Sequence, residues 1–301
     1  MPEIKPLADK PTYAVVYQFG KVASTSIVAA LNLLPDVEAV QSHFMGKQAL
    51  GQILDSLFAP GMSEYFYFHQ RGQLVENIDI TRKVTQLRAG LDTDQNLLIL
   101  SMCRDPMDWF RSALTQDAKA HLETMKTYLA QIGQTVPEDG DAVIRAALPA
   151  MLDEISTLFS TSDTFWDISV QSRASAAEIK EGLTPALVLF TYLVLRPFNW
   201  YRTHFQSALG VGIGELSARD GLWLRQDEGE TIAVLRYEDM AQQLPGLIAG
   251  LGLGDIDLGV SENRSTGKLH ADTIREVLDA YDDSRLREVF ARSYYSRFFG
   301  Y

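Results

Sequence analysis

Two segments of the sequence place basic and hydroxyl side chains where an anion could bind. The first, GKVASTS at residues 20–26, lies between a short apolar run and a helical pattern. Lys21 comes first, and Ser24, Thr25 and Ser26 follow it. The amides and partial positive charge of a helix start favour anions, and the hydroxyls and ammonium add donors. The segment is therefore a candidate anion-binding turn, although a capped helix beside an exposed lysine would give the same pattern.

The second segment, SMCRDPMDWFRS at residues 101–112, follows a strongly apolar run. Arg104 leaves that run, and Pro106 suits the first turn of a helix, where proline loses no hydrogen bond. Ser112 comes eight residues after Arg104, about two turns along that helix on the face that returns toward the arginine. An arginine fork and a hydroxyl bind phosphate well, whereas an Arg104–Asp105 pair that closes the turn would need no ligand.

A reaction at an acceptor hydroxyl also needs a group that takes up the proton, and histidine titrates near neutral pH. His43 follows a predicted second strand at 37–41 and is the first candidate, with a structural histidine as the equal alternative. His69, at the end of a predicted third strand, is the second candidate. Glu76 and Glu238 are the fallback candidates for the general base, and the pattern around Glu238 favours a structural role.

A late basic loop, ENRSTGKLH at residues 262–270, stands out in an acidic chain. Arg264 and Lys268 are its cations, and Ser265 and Thr266 lie between them. A basic, glycine-containing loop could close as a lid over a bound anion. The alternative is a solvated loop that caps the final helix.

Together these segments resemble the double signature of sulfotransferases that use 3′-phosphoadenosine 5′-phosphosulfate (PAPS). VLRYEDM at 234–240 is similar to the LRYEDL of many members, and FNWYRTHFQSALGVGIG at 198–214 and QSHFMG at 41–46 resemble bacterial capsular polysaccharide sulfotransferases. The chain departs from the common pattern at Ala23, where the loop usually has glycine, and at Trp109, where an arginine is frequent.

The resemblance implies a role for each candidate residue. Lys21 would stabilise the leaving group, and His43 would be the general base. Ser24, Thr25 and Ser26 would bind the 5′-phosphate, and Arg104 and Ser112 would bind the 3′-phosphate. The late loop would close as a lid over the nucleotide and contribute Arg264 and Lys268. The donor would be PAPS, no metal would be required, and the acceptor would be a hydroxyl of a carbohydrate or related molecule.

The elements that must position these residues follow from the apolar patterns. Short β-branched and aromatic runs predict strands at 13–17, 37–41, 65–69, 96–102 and 231–237. Helical spacing follows the first run, with Ser24 or Thr25 as its expected N-cap. Strands that alternate with helices predict an α/β fold with a parallel sheet flanked by helices, as in the P-loop-like sulfotransferase fold. We expect one domain over 1–301 with a mainly helical insertion at about 113–206.

Composition limits the classes of function. A net charge of −12 argues against a nucleic-acid-binding protein. The single cysteine, Cys103, and the absence of a signal-peptide pattern or a long apolar run predict a cytoplasmic protein without a transmembrane segment. The composition and the residue pattern do not indicate an oligomeric state.

Two other functions remain open at this point. A small-molecule kinase shares the sheet and the anion-binding turn, but the chain lacks the G-x-x-x-x-G-K-[ST] motif. A non-catalytic nucleotide-fold protein of polysaccharide assembly is the other alternative. The retained Lys21, Arg104 and Ser112 argue against it.

Overall fold

Six strands form one sheet in the computed structural model, which describes residues 4–58, 63–116, 118–161, 185–258 and 269–301. The strands are β1 (Thr12–Tyr17), β2 (Val37–Ser42), β3 (Asn96–Cys103), β4 (Ser217–Arg219), β5 (Leu222–Asp227) and β6 (Glu230–Arg236). Their spatial order is β2–β1–β3–β6–β5–β4. Every side chain of β1 and β3 is buried, which explains the unbroken apolar runs that predicted these strands.

The sheet is mixed, whereas the sequence pattern favours a wholly parallel one. β1 runs parallel to β2 and β3, and β3 runs parallel to β6, as predicted. β4 and β5 form an antiparallel hairpin, and β5 is also antiparallel to β6. The turn between β4 and β5 is Asp220–Gly221, with φ of 52° and 80°. Asp-Gly is favoured in such two-residue turns, so this dipeptide was the signal for the hairpin.

Helices make up most of the remaining described residues. They are α1 (Ser24–Leu31), α2 (Gly46–Phe58), α3 (Ser63–Arg88), α4 (Pro106–Gln116), α5 (Ala118–Gln131), α6 (Gly140–Ser160), α7 (Pro185–Trp200), α8 (Ser207–Leu209), α9 (Met240–Gly250), α10 (Ala271–Ala280), α11 (Ser284–Ala291) and α12 (Tyr294–Phe299). α4 begins at Pro106, as predicted. None of the helices in the described ranges is long and apolar enough to cross a membrane.

The strand predicted at 65–69 is wrong, because these residues belong to α3. Asn77, Ile80 and Val84 are buried further along the same helix. Their spacing of three and four residues is that of one helix face. The aromatic run at 65–69 is part of the same helix, so its local β-propensity does not determine its structure.

The chain divides into two compact units. The first comprises Met1–Arg104 and Trp200–Glu262 and contains the whole sheet, whereas the second comprises Asp105–Asn199 and Asn263–Tyr301. The described residues of 113–206 form helices and no strand. The second unit has its own buried core, in which α6 packs against α5, α10 and α11. The buried residues of α6 recur at helical spacing and form its apolar face. Each fully buried aliphatic side chain stabilises the fold by about 1.5–3 kcal/mol.

Candidate functional site

The loop that joins β1 to α1 has an unusual backbone. Gly20, Lys21 and Ala23 all adopt the left-handed conformation, with φ of 91°, 61° and 58°. Glycine adopts it without strain, but a residue with a Cβ loses about 1–2 kcal/mol. Alternation of left- and right-handed residues turns successive amides toward one side and forms an anion-binding concavity. Backbone strain of this kind is concentrated at functional sites.

The start of α1 has no side-chain cap. Its N-cap is Ala23, so the expectation that Ser24 or Thr25 would occupy this position is wrong. Ser24, Thr25 and Ser26 instead form the first turn, in which Ser24 and Ser26 are buried and Thr25 is exposed. No hydroxyl is committed to capping the helix. The first-turn amides and the positive end of the helix dipole therefore face the loop that carries Lys21.

Arg104 brings the second motif to the same edge of the sheet. It directly follows β3, the neighbour of β1, and its Nη1 donates a hydrogen bond to the carbonyl oxygen of Lys21 at 2.7 Å. Its guanidinium carbon lies 4.4 Å from the centre of the Tyr237 ring, directly after β6. The carboxyl ends of three parallel strands thus converge on one basic side chain.

His43 follows β2 and lies at this edge as well. Its Nδ1 is 2.8 Å from the carbonyl oxygen of Gln18, and its Nε2 is 2.8 Å from Nε2 of Gln41. A carbonyl oxygen only accepts, so Nδ1 carries a proton and donates it. Nε2 then accepts from the Gln41 amide. Gln18 also accepts a hydrogen bond from the amide of Gly20 through its Oε1, so one residue links His43 to the loop.

An aromatic cluster lies beside the loop. Phe19 is fully buried, and its ring centre lies 5.7 Å from that of Trp200 and 6.3 Å from that of Tyr201. The Tyr201 hydroxyl is 3.2 Å from Oγ of Ser101 in β3, and burial raises the pKa of Tyr201 well above its ordinary value. This packing restricts the loop and preorganises the amides that follow it.

His204 also lies in this region, although the sequence pattern did not indicate it as a site residue. It lies in a π-helix, Tyr201–Gln206, a rare geometry found frequently at functional sites. Its ring centre is 5.9 Å from Phe44 and 6.2 Å from Trp200. The histidine within an aromatic stretch was the available signal, but the π-turn that places it beside Phe44 is not visible in the pattern.

Two residues of the second motif lie in the helical unit. Ser112 is half-buried in α4, and its carbonyl oxygen accepts a hydrogen bond from Oγ1 of Thr115 at 3.1 Å. Arg111 donates to Oδ1 of Asp279 at 2.6 Å and to the carbonyl oxygen of Leu278 at 2.9 Å. Arg111 is therefore held by its own unit.

The other candidates have different positions. His69 belongs to α3 and does not end a strand. Glu238 lies in a 3₁₀ turn, Tyr237–Asp239. Glu76, also in α3, lines a cleft with Tyr13, near the amino end of β1 and away from the Lys21 loop. Arg264 and Lys268, and with them the predicted lid, lie outside the described residues.

Comparison with known proteins adds no relative. No family model matches the chain, and no curated protein or solved structure is significantly similar to it. Within the described ranges, no group of three or more histidine, cysteine, aspartate or glutamate side chains is arranged to hold a metal ion. The site is thus defined by its own residues: a strained, amide-rich loop with a lysine, an arginine from the next strand and a histidine bonded to the loop.

Proposed function

We propose that the protein is a sulfotransferase that moves a sulfuryl group from PAPS to a hydroxyl of a carbohydrate or related acceptor. One observation supports this most strongly. Arg104 donates to the carbonyl oxygen of Lys21 at 2.7 Å, so the two motifs that suggested the family meet at one edge of the sheet. A donor with phosphates at its 5′ and 3′ positions needs two anion-binding elements side by side.

The donor-binding roles are those that the resemblance to PAPS-dependent sulfotransferases implies, and the chemistry of each group supports them. Lys21 and the amides and hydroxyls of Ser24, Thr25 and Ser26 would bind the 5′-phosphosulfate, because a helix start and an ammonium both favour anions. Arg104 would bind the 3′-phosphate with its planar fork, and Ser112 would add a hydroxyl. Arg264 and Lys268 complete the proposed set from the late loop.

The reaction is an in-line displacement at sulfur. The acceptor oxygen attacks the sulfur, the bond from sulfur to the bridging oxygen breaks, and adenosine 3′,5′-bisphosphate leaves with the negative charge. Lys21 stabilises that charge as it develops, and such preorganised stabilisation is frequently the largest contribution to catalysis. The acceptor hydroxyl gives its proton to Nε2 of His43. Nδ1–H of His43 remains bonded to the Gln18 carbonyl, which stabilises the imidazolium.

The role of His43 requires one local rearrangement. In the structure its Nε2 accepts from the Gln41 amide at 2.8 Å. Gln41 must turn away before the acceptor hydroxyl can take its place. The Gln18 carbonyl keeps the proton on Nδ1, so Nε2 stays in the unprotonated form that a general base requires.

The test compares two ligands and two arginines. We expect adenosine 3′,5′-bisphosphate without Mg²⁺ to bind and to raise the melting temperature, and ATP with Mg²⁺ to have little effect. Calorimetric titration should show that Arg104→Ala weakens bisphosphate binding by roughly 1.5–3 kcal/mol, the contribution of a charge-assisted hydrogen bond. Arg111→Ala is the matched control and should keep the parental affinity, because Arg111 is bound to Asp279 and Leu278.

Three outcomes would count against the proposal. Equal affinity in Arg104→Ala and the parent would remove the 3′-phosphate site. Stabilisation by ATP with Mg²⁺ alone would favour the small-molecule kinase. Tight bisphosphate binding without turnover of PAPS, with or without added acceptors, would favour the non-catalytic alternative.

A further inference from the structure

An open cleft of about 640 Å³ lies at the other end of the sheet. Its lining includes Tyr13 of β1 and Val40 of β2, and Tyr13 pairs in register with Glu38 of the edge strand β2. The helix α3 contributes Glu76 and Asp79 to the same lining. Tyr13 lies near the amino end of β1. At about 3.3 Å per residue, the four residues to Tyr17 separate the cleft from the Lys21 end by about 13 Å.

Acidic side chains outnumber the one lysine in the lining of the cleft. The carboxylates of Glu38, Glu76 and Asp79 have neither a hydrogen bond nor an ion pair among the residues that the structure describes. Lys83 also lines the cleft, but its Nζ is 2.5 Å from Oδ2 of Asp92. Three carboxylates thus line the same open space, and the lysine beside them is paired with a fourth carboxylate, Asp92.

Tyr13 is an independent sign of a ligand. Only 5% of the residue is exposed, and its hydroxyl has no hydrogen-bond partner within the described ranges. Burial, followed by the charges of Glu38, Glu76 and Asp79, raises the pKa of Tyr13 to about 12. The phenol therefore stays protonated near neutral pH, close to the three carboxylates. The side chain packs into the core while its hydroxyl faces the cleft, so a ligand bound there can form a hydrogen bond to it.

We propose that this cleft binds a small aliphatic diamine or polyamine. An ammonium group donates three hydrogen bonds in different directions, so it can bind separated carboxylates and the oxygen of a phenol. Val40 and Ile80 offer apolar surface for the methylene chain between two ammonium groups. A divalent metal would instead need converging ligands, and the described residues contain no such group of three.

The test is calorimetric titration of the full chain at low ionic strength with 1,4-diaminobutane and spermidine. The neutral isostere 1,4-butanediol and Mg²⁺ are the comparison ligands. We expect saturable binding of both amines, weakened by added salt, and none of the diol. Asp79→Asn should weaken amine binding about three- to fivefold, as for an exposed ion pair. Tyr13→Phe should weaken it by a similar factor without a change in charge.

Glu228→Gln is the matched control, because Glu228 is an exposed carboxylate of the same unit in the turn between β5 and β6. It should leave amine affinity unchanged. Equal weakening by Asp79→Asn and Glu228→Gln would show diffuse attraction to an acidic protein and would overturn the proposal. Equal binding of diol and diamine, or displacement of the amine by equimolar Mg²⁺, would overturn it as well. Bisphosphate affinity, measured on the same variants, should not change, which separates this site from the proposed donor site.

Discussion

The two ends of β1 carry opposite chemistry. At its carboxyl end, basic side chains and backbone amides gather around Lys21, and Arg104 is hydrogen-bonded to the loop. At its amino end, three exposed carboxylates line the same cleft as Tyr13. The first end is built largely by the backbone, through left-handed residues and an uncapped helix. The second is built by side chains alone.

This difference reflects the polarity of parallel strands. A helix that follows a strand begins at the carboxyl edge of the sheet and directs its amides there, so that edge favours anions without any particular side chain. The amino edge has no such backbone feature. Charge there depends on the side chains that β2 and α3 supply. We therefore expect substitutions at the carboxyl edge to have larger effects than those at the amino edge.

Lys21 provides the strongest test. Lys21→Ala should lower the rate of donor hydrolysis about 100-fold, because the variant lacks the positive charge that stabilises the negative charge developing on the leaving group. Its affinity for the bisphosphate product should change far less. Lys21→Arg should restore little activity, since a planar fork does not replace a compact ammonium in a tight turn. Slow hydrolysis of PAPS can be followed without an acceptor.

Asp79→Asn is the control at the amino edge and should hydrolyse donor at the parental rate. If Lys21→Ala also did so while Arg104→Ala did not, the catalytic role of Lys21 would be wrong, even with the donor site correctly placed.

Ala23 tests whether the carboxyl edge is strained. Ala23→Gly should raise the free energy of unfolding by about 1 kcal/mol, because glycine adopts a φ of 58° without the penalty of a Cβ. Ala29→Gly, in the same helix, should lower it by about 1 kcal/mol, as expected for a helix interior. Urea denaturation of both variants measures the difference. A loss of stability in both would contradict the strain at Ala23.

Tyr13 gives the most specific effect, because it is confined to alkaline pH. Its raised pKa, about 12, means that the folded protein holds this proton more tightly than the unfolded chain. That contribution to stability is complete below pH 10 and is lost as the pH rises from 10 to 12. Between pH 10 and 12 the free energy of unfolding should therefore fall less steeply with pH in Tyr13→Phe than in the parent protein. The difference in slope corresponds to the release of up to one proton per molecule on unfolding. Identical slopes in both proteins would show that the folded protein does not raise the pKa of this phenol.

The sequence by itself determined the elements whose signals are local. Unbroken apolar runs predicted β1, β3 and β6, because strands covered on both faces need apolar side chains at every position. Pro106 predicted the start of α4, since proline fits a first helical turn. The order of strands and helices was sufficient to predict an α/β fold and to place Lys21, His43 and Arg104 at strand ends.

Only the tertiary structure decided the features that depend on partners distant in sequence. The aromatic run at 65–69 has β-propensity, but it is part of the long helix α3. Ala23 occupies the N-cap position in a left-handed conformation, which the residue types of this segment do not predict. The bond between Arg104 and the Lys21 carbonyl, and the carboxylates that gather at Tyr13, join residues from separate strands and helices. Such contacts arise from strand order and helix packing, which a linear pattern of residue types does not contain.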